Sequence, residues 1–160
     1  MGDHTWTSTW HIAAPLPVVW QAILHPEEWP RWWPFVAEVQ LLKPGDEDGV
    51  GALRRFTWNT RLPYRIHIVM EARAVEHHRL LAARATGDVR GLGIWRFSAV
   101  GCSTRLEYQW HIKLDRPWMR WLAPVATPLF KWNHDRVMDA GAAGLARYLD
   151  VREPPRASGH

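Results

Sequence analysis

Trp10-His-Ile-Ala-Ala-Pro15-Leu-Pro-Val-Val-Trp20 and the run from Pro117 to Leu149 decide the fold of this chain between them. The first reads as a strand that Pro15 delivers into a short helix. Pro17 has the fixed φ suited to a first helical turn, and Val18, Val19, Ala22 and Ile23 make a short apolar stripe. Pro26 stops it. The second run reads as one long helix. Nearly everything between them alternates with a period of two, as antiparallel strands do. A small helical insert at one end of a curved sheet, with a long helix laid across it, encloses a pocket. This layout predicts small-molecule binding without naming the ligand.

Working outward, Trp6, Ser8, Trp10 and Ile12 alternate against Thr5, Thr7, Thr9 and His11, a half-buried strand. Glu27-Glu-Trp-Pro-Arg-Trp-Trp-Pro34 looks like a second short helical turn between proline brackets. Strand-like runs follow at Phe35–Lys43, Val50–Thr60, Tyr64–Ala72, Leu80–Thr86 and Leu92–Val100. They are separated by the turn signals Pro44-Gly-Asp-Glu-Asp-Gly49, Leu62-Pro63, Gly87-Asp88 and Gly101-Cys-Ser103. The last strand, Thr104, Leu106, Tyr108, Trp110 and Ile112, has the cleanest alternation.

In the final helix Pro124 and Pro128 predict a bend or a restart, with Thr127 as N-cap and Pro128 first in the renewed helix. Leu129, Asn133, Val137, Ala140, Gly141, Gly144, Leu145 and Tyr148 share one side. The small residues among them would let the helix approach the sheet closely. Residues 1–150 are expected to form a single ligand-binding domain, and the polar, proline-rich stretch 151–160 a disordered tail.

At 160 residues the chain suits one domain with a real core. No apolar run approaches the roughly 20 residues needed to span a bilayer. Met1-Gly-Asp-His-Thr-Trp lacks the basic-then-apolar pattern of a signal peptide. A lone Cys102 fits a reducing compartment, so a cytoplasmic location is expected. The net charge of +4 does not indicate a nucleic-acid partner, because the bases are scattered among acids, as in Glu71-Ala-Arg73 and Glu76-His-His-Arg79. Twelve tryptophans are many for this length. Most should build a bulky core, while others line a cavity or form a membrane-facing rim.

The order of these pieces resembles the START/polyketide-cyclase (SRPBCC) superfamily. The matching residues are Ile12-Ala-Ala-Pro15…Val19-Trp20, the Trp29–Pro34 insert, Pro44-Gly-Asp…Gly49-Val-Gly51, Gly87-Asp88…Gly91-Leu-Gly93-Ile-Trp95, Gly101…Thr104 and Trp132-Asn133-His134. The resemblance covers residues 6 to 150. It implies an α+β helix-grip fold, in which about seven curved antiparallel strands wrap a long C-terminal helix, with two short helices after the first strand. It also implies a cavity that in relatives holds lipids, sterols, polyketides, plant hormones or aromatic intermediates. Some relatives are cyclases and aromatases; others carry or sense a ligand. The fold does not choose between these.

Candidate chemistry is sparse. Cys102 sits in a turn, no serine lies in a Gly-x-Ser-x-Gly elbow, and no Lys-Ser/Thr follows the Gly87…Gly91…Gly93 series. His77-His78 read as turn residues, and no His-Glu-x-x-His or cysteine pair suggests a metal. No cofactor is implied. On the apolar side of the last helix Asn133 points squarely into a cavity, either orienting the helix through its amide or bonding a ligand. His134, about 100° round the helix, suits the rim or the sheet edge. Arg54 shares a strand face with Phe56 and Trp58; inward, it would suit a carboxylate or enolate, and outward it would be an ordinary surface arginine. Tyr64, Tyr108 and Trp110 are the expected cavity wall. Three functions follow: binding an apolar or aromatic small molecule; a polyketide cyclase or dehydratase, with Tyr108 or Arg54 stabilising an enolate and His134 moving a proton; or a lipid carrier touching membranes through Trp29–Trp33. For that last segment the alternative is a lid packed on the core.

Overall fold

Strand β1 (Asp3–Ile12) pairs antiparallel with β7 (Ser103–Lys113) along its whole length, Asp3 opposite Lys113 and Ile12 opposite Thr104. The computed structural model describes residues 3–60, 63, 65–113 and 117–152. After β1 come helix α1 (Leu16–Leu24) and a 3-10 segment (Pro26–Arg31), then β2 (Val36–Lys43), β3 (Leu53–Trp58) and β4 (Ile66–Glu76). Strands β5 (Leu80–Gly87), β6 (Arg90–Val100) and β7 lead to helix α2 (Pro117–Arg152). The seven strands form one antiparallel sheet in the order β1-β7-β6-β5-β4-β3-β2. This is the helix-grip arrangement the sequence predicts.

Three irregularities bend the sheet. The β2–β3 register shifts between Val36 and Glu38 and between Leu41 and Lys43, and the β4–β5 register shifts between Ala72 and Ala74. An extra residue on one strand tightens the local twist and curls the sheet around whatever lies on its concave face. The β5–β6 turn depends on Gly87 at φ 105°, where an added Cβ would sit 2.8 Å from the His67 carbonyl oxygen. His77 and His78 are in the β4–β5 turn, as expected, with their rings stacked at 3.7 Å and both edge-on to Trp20. Cys102 is exposed in the β6–β7 turn.

The core is built of tryptophan. Trp29, Trp32 and Trp33 are only 7%, 4% and 2% exposed, so they form a plug and not a membrane-facing rim. The physical reason is contact. Trp33 stacks on Trp32 with ring centres 5.4 Å apart, lies edge-on to Trp10 at 5.3 Å, and donates its indole N–H to the Val137 carbonyl. Glycines of α2 make room for this plug. A Cβ on Gly141 would come within 2.5 Å of the Trp33 ring, and one on Gly144 would run into the Trp32 carbonyl oxygen. The small-residue face thus approaches the tryptophan insert and Trp10 of β1, where the sequence suggested the sheet at large.

Two further expectations about α2 are corrected. The helix runs unbroken through Pro124 and Pro128, so Thr127 is interior and caps nothing. Both prolines are exposed, and water can meet the carbonyls that lose an N–H partner. Leu129, grouped by spacing with the buried face, instead points outward. Helix residues Val151 and Arg152 belong to α2, and the remainder of the expected tail, 153–160, lies outside the described residues.

Candidate functional site

Between the concave sheet and the first half of α2 lies a cavity of about 780 Å³. Its floor follows from strand alternation: side chains two apart point to the same face. On β3 this brings Arg54, Phe56 and Trp58 inward; on β4, Ile68 and Met70; on β7, Tyr108, Trp110 and Ile112. Trp95 of β6 stacks obliquely on Tyr108 at 4.5 Å, and Tyr108 stacks on Trp110 at 6.2 Å. The roof is α2, contributing Phe130, Asn133, His134 and Val137.

Polar atoms in this apolar room are few. Asn133 is buried, and its Oδ1 has no hydrogen-bond partner among the described residues. His134 packs against the edge strand, its ring 5.1 Å from Trp6 and 6.5 Å from Tyr108, and its buried Nε2 likewise has no partner there. Burial lowers the His134 pKa to about 4, with neighbouring Asp135 opposing only in part. The imidazole is therefore neutral at physiological pH. Burial also pushes the Tyr108 phenol well above its ordinary value, so it remains a hydroxyl. Gly93 clears the space for that hydroxyl: a Cβ there would stand 2.6 Å from it.

Arg54 is inward but engaged. Its Nε donates to Glu27 Oε1 at 2.7 Å, tying β3 to the 3-10 segment. Burial raises the Glu27 pKa, yet the Arg54 hydrogen bond and charge outweigh it and hold the carboxyl below its usual range. This ion pair lies beside the insert. Asp46, Glu47, Asp48, Asp88, Arg90 and Lys113 also border the cavity. Among the described residues, no three His, Cys, Asp or Glu side chains gather as metal ligands would.

The structure brings Arg54, Phe56, Trp58, Tyr108, Trp110, Asn133 and His134 to one cavity. Tyr64 lies outside the described residues. Sequence reasoning missed Trp6, Met70, Trp95 and Phe130 as lining residues. Trp95 was within reach, since it lies two residues from Gly93 on the same strand face. Phe130 was not, because the proline-interrupted start of α2 obscures the helical phase.

The sequence matches the family described as "Polyketide cyclase / dehydrase and lipid transport" over residues 3–150. Among solved structures, the Zhui aromatase/cyclase from Streptomyces sp. R1128 superposes with a TM-score of 0.79 at 17% identity, covering 98% of both chains. A START superfamily protein from Mycobacterium smegmatis gives 0.77 at 15% identity, covering 94% of this chain and 99% of that one. The ginseng major latex-like protein 151 from Panax ginseng gives 0.71 at 8% identity, covering 92% and 98%. A comparison with curated proteins gives no significant match. At such identities the superpositions establish the shared fold alone. With the sequence match spanning nearly the whole length, the chain belongs to the polyketide cyclase/dehydrase and lipid-transport family.

Proposed function

We propose that this chain binds a neutral, apolar or aromatic small molecule between the sheet and α2, bonding it through Asn133, Tyr108 and His134. One observation carries the reading. In a largely apolar cavity of about 780 Å³, Asn133 Oδ1 and His134 Nε2 are buried without partners among the described residues. An unpaired buried polar atom costs about 1–3 kcal/mol. A ligand hydroxyl or N–H against Asn133 would recover that cost. The protonated Tyr108 hydroxyl can donate to a ligand carbonyl, and Phe56, Trp58 and Trp110 offer flat faces to an aromatic body. Arg54 is already paired to Glu27, which disfavours a ligand carboxylate there.

Proton chemistry of the cyclase or dehydratase kind is the second reading. Tyr108 and His134 line the same cavity with their ring centres 6.5 Å apart, a donor and a base on one site. Base strength weighs against it. An imidazole with a pKa of about 4 is a poor proton acceptor near neutrality, where an efficient general base lies closer to the working pH.

Native mass spectrometry followed by denaturing extraction tests binding. A reproducible added mass that extraction removes is expected. Asn133→Leu should lose that mass while the empty protein becomes more stable by about 1 kcal/mol. Undiminished affinity in this variant would remove Asn133 from the site. Failure of the wild-type protein to take up any of a panel of apolar aromatic fluorophores would overturn the binding reading. Turnover of a poly-β-keto substrate, lost in Tyr108→Phe, would establish the second.

A further inference from the structure

Four of the seven large hydrophobic side chains exposed among the described residues lie on α2: Trp121, Val125, Leu129 and Trp132, exposed by 88%, 80%, 50% and 43%. Their spacing of four, four and three places them on one face, a stripe about 16 Å long at the rise of an α-helix. Exposed Pro128 falls between them. Asn133, Val137, Gly141 and Leu145 are buried on the opposite side. Over the stripe itself Thr127 and Phe130 turn to the cavity, so α2 here gives one face to the protein and an apolar one to solvent. A soluble helix ordinarily turns a polar face to water, and a contiguous apolar patch of this kind marks a contact surface.

The charges identify the occupant. Residues 117–136 contain Arg120, Lys131 and Arg136 against one acid, Asp135, which pairs with Lys131 across 2.8 Å. At the end of the stripe the Arg136 guanidinium lies 5.6 Å over the Trp132 ring. Tryptophan at both ends of an apolar stripe, with basic residues around it, is the composition of a helix lying in a bilayer interface. Isologous pairing with a second copy would instead set the net positive charge of this stretch against itself, since Asp135 offsets only Lys131. No helix among the described residues is long and apolar enough to cross a membrane. We propose that the Trp121–Trp132 face of α2 docks the protein peripherally on an anionic phospholipid surface. The proposal does not depend on what the cavity holds.

Co-sedimentation with vesicles tests it, using phosphatidylcholine alone and phosphatidylcholine mixed equally with phosphatidylglycerol. The wild-type protein is expected to sediment with the mixed vesicles and to be released as salt rises. Trp121→Ser combined with Trp132→Ser should lower the partition coefficient at least about tenfold, with an unchanged melting midpoint because both side chains are exposed. Leu41→Ser with Leu42→Ser, exposed on β2, should leave binding intact. No sedimentation of the wild type, equal binding by the tryptophan variant, or equal loss in the leucine variant would each overturn the proposal. So would equal binding to phosphatidylcholine alone, or a wild-type dimer in light scattering that the tryptophan variant makes monomeric without any vesicle binding.

Discussion

The indole N–H of Trp33 donates to the Val137 carbonyl across 2.7 Å, joining the tryptophan insert to the middle of α2. Both residues are buried, so this bond forms in a site without competing water. Trp33→Phe removes the donor and part of the ring. A loss of about 2–3 kcal/mol is expected, from the hydrogen bond and the space left behind. Urea unfolding, read as a lower midpoint at constant slope, measures it.

Gly144 should reverse an ordinary rule. Glycine to alanine inside a helix usually stabilises by up to about 1 kcal/mol. Here the new methyl would meet the rigid Trp32 carbonyl, so Gly144→Ala is expected to destabilise by about 2 kcal/mol. Ala143→Gly, one residue earlier and exposed, should cost only about 1 kcal/mol through propensity. Thermal midpoints of the two variants give the comparison.

Stability should depend on pH through His134. Its pKa falls from 6.5 to about 4 on folding, because burial penalises the imidazolium. Below 6.5 the unfolded chain takes up a proton that the folded chain refuses. Stability is therefore full above pH 6.5, declines as the pH drops toward 4, and levels off below. The decline amounts to about 3 kcal/mol at most. His134→Phe should flatten this part of the curve. An unaltered difference between pH 4 and pH 6.5 in that variant would remove His134 as the source.

The Arg54–Glu27 pair is partly exposed, with side chains 22% and 38% accessible. Its contribution to stability should be under about 1 kcal/mol. Its mechanical effect should be larger, since it ties β3 to the segment bordering the cavity. Arg54→Met is expected to speed both entry and exit of a fluorescent apolar probe while changing the equilibrium constant little. Stopped-flow mixing separates the two rates.

The sheet was legible because its strands alternate with a period of two, most cleanly in β7. From Thr104 to Ile112 every second residue is inward, and β7 forms over that run. The cavity residues on strands were legible for the same reason. The helix was less so. Asn133 and His134 are about 100° apart, which suggested that only one could face inward. The concave sheet wraps α2 widely enough that both do. Leu129 was misplaced because an apolar residue at helical spacing reads as core, and spacing alone does not reveal a second apolar face. The tryptophans at 29, 32 and 33 could have served as lid or rim. What decides is the space that Gly141 and Gly144 leave for them, over a hundred residues away.

The pairing of β1 with β7 sets an order of events during synthesis. Asp3 waits for Lys113, and Trp10 for Leu106, so the first strand has no neighbour in the sheet until the last has emerged from the ribosome. Strands β2 to β6 can zip as local hairpins in the meantime. Closing so long a loop is the slow, entropically costly step of a high-contact-order fold. Through that interval Trp6 and Trp10 belong to an unpaired strand, so the nascent chain carries open apolar surface before it can enclose anything of its own.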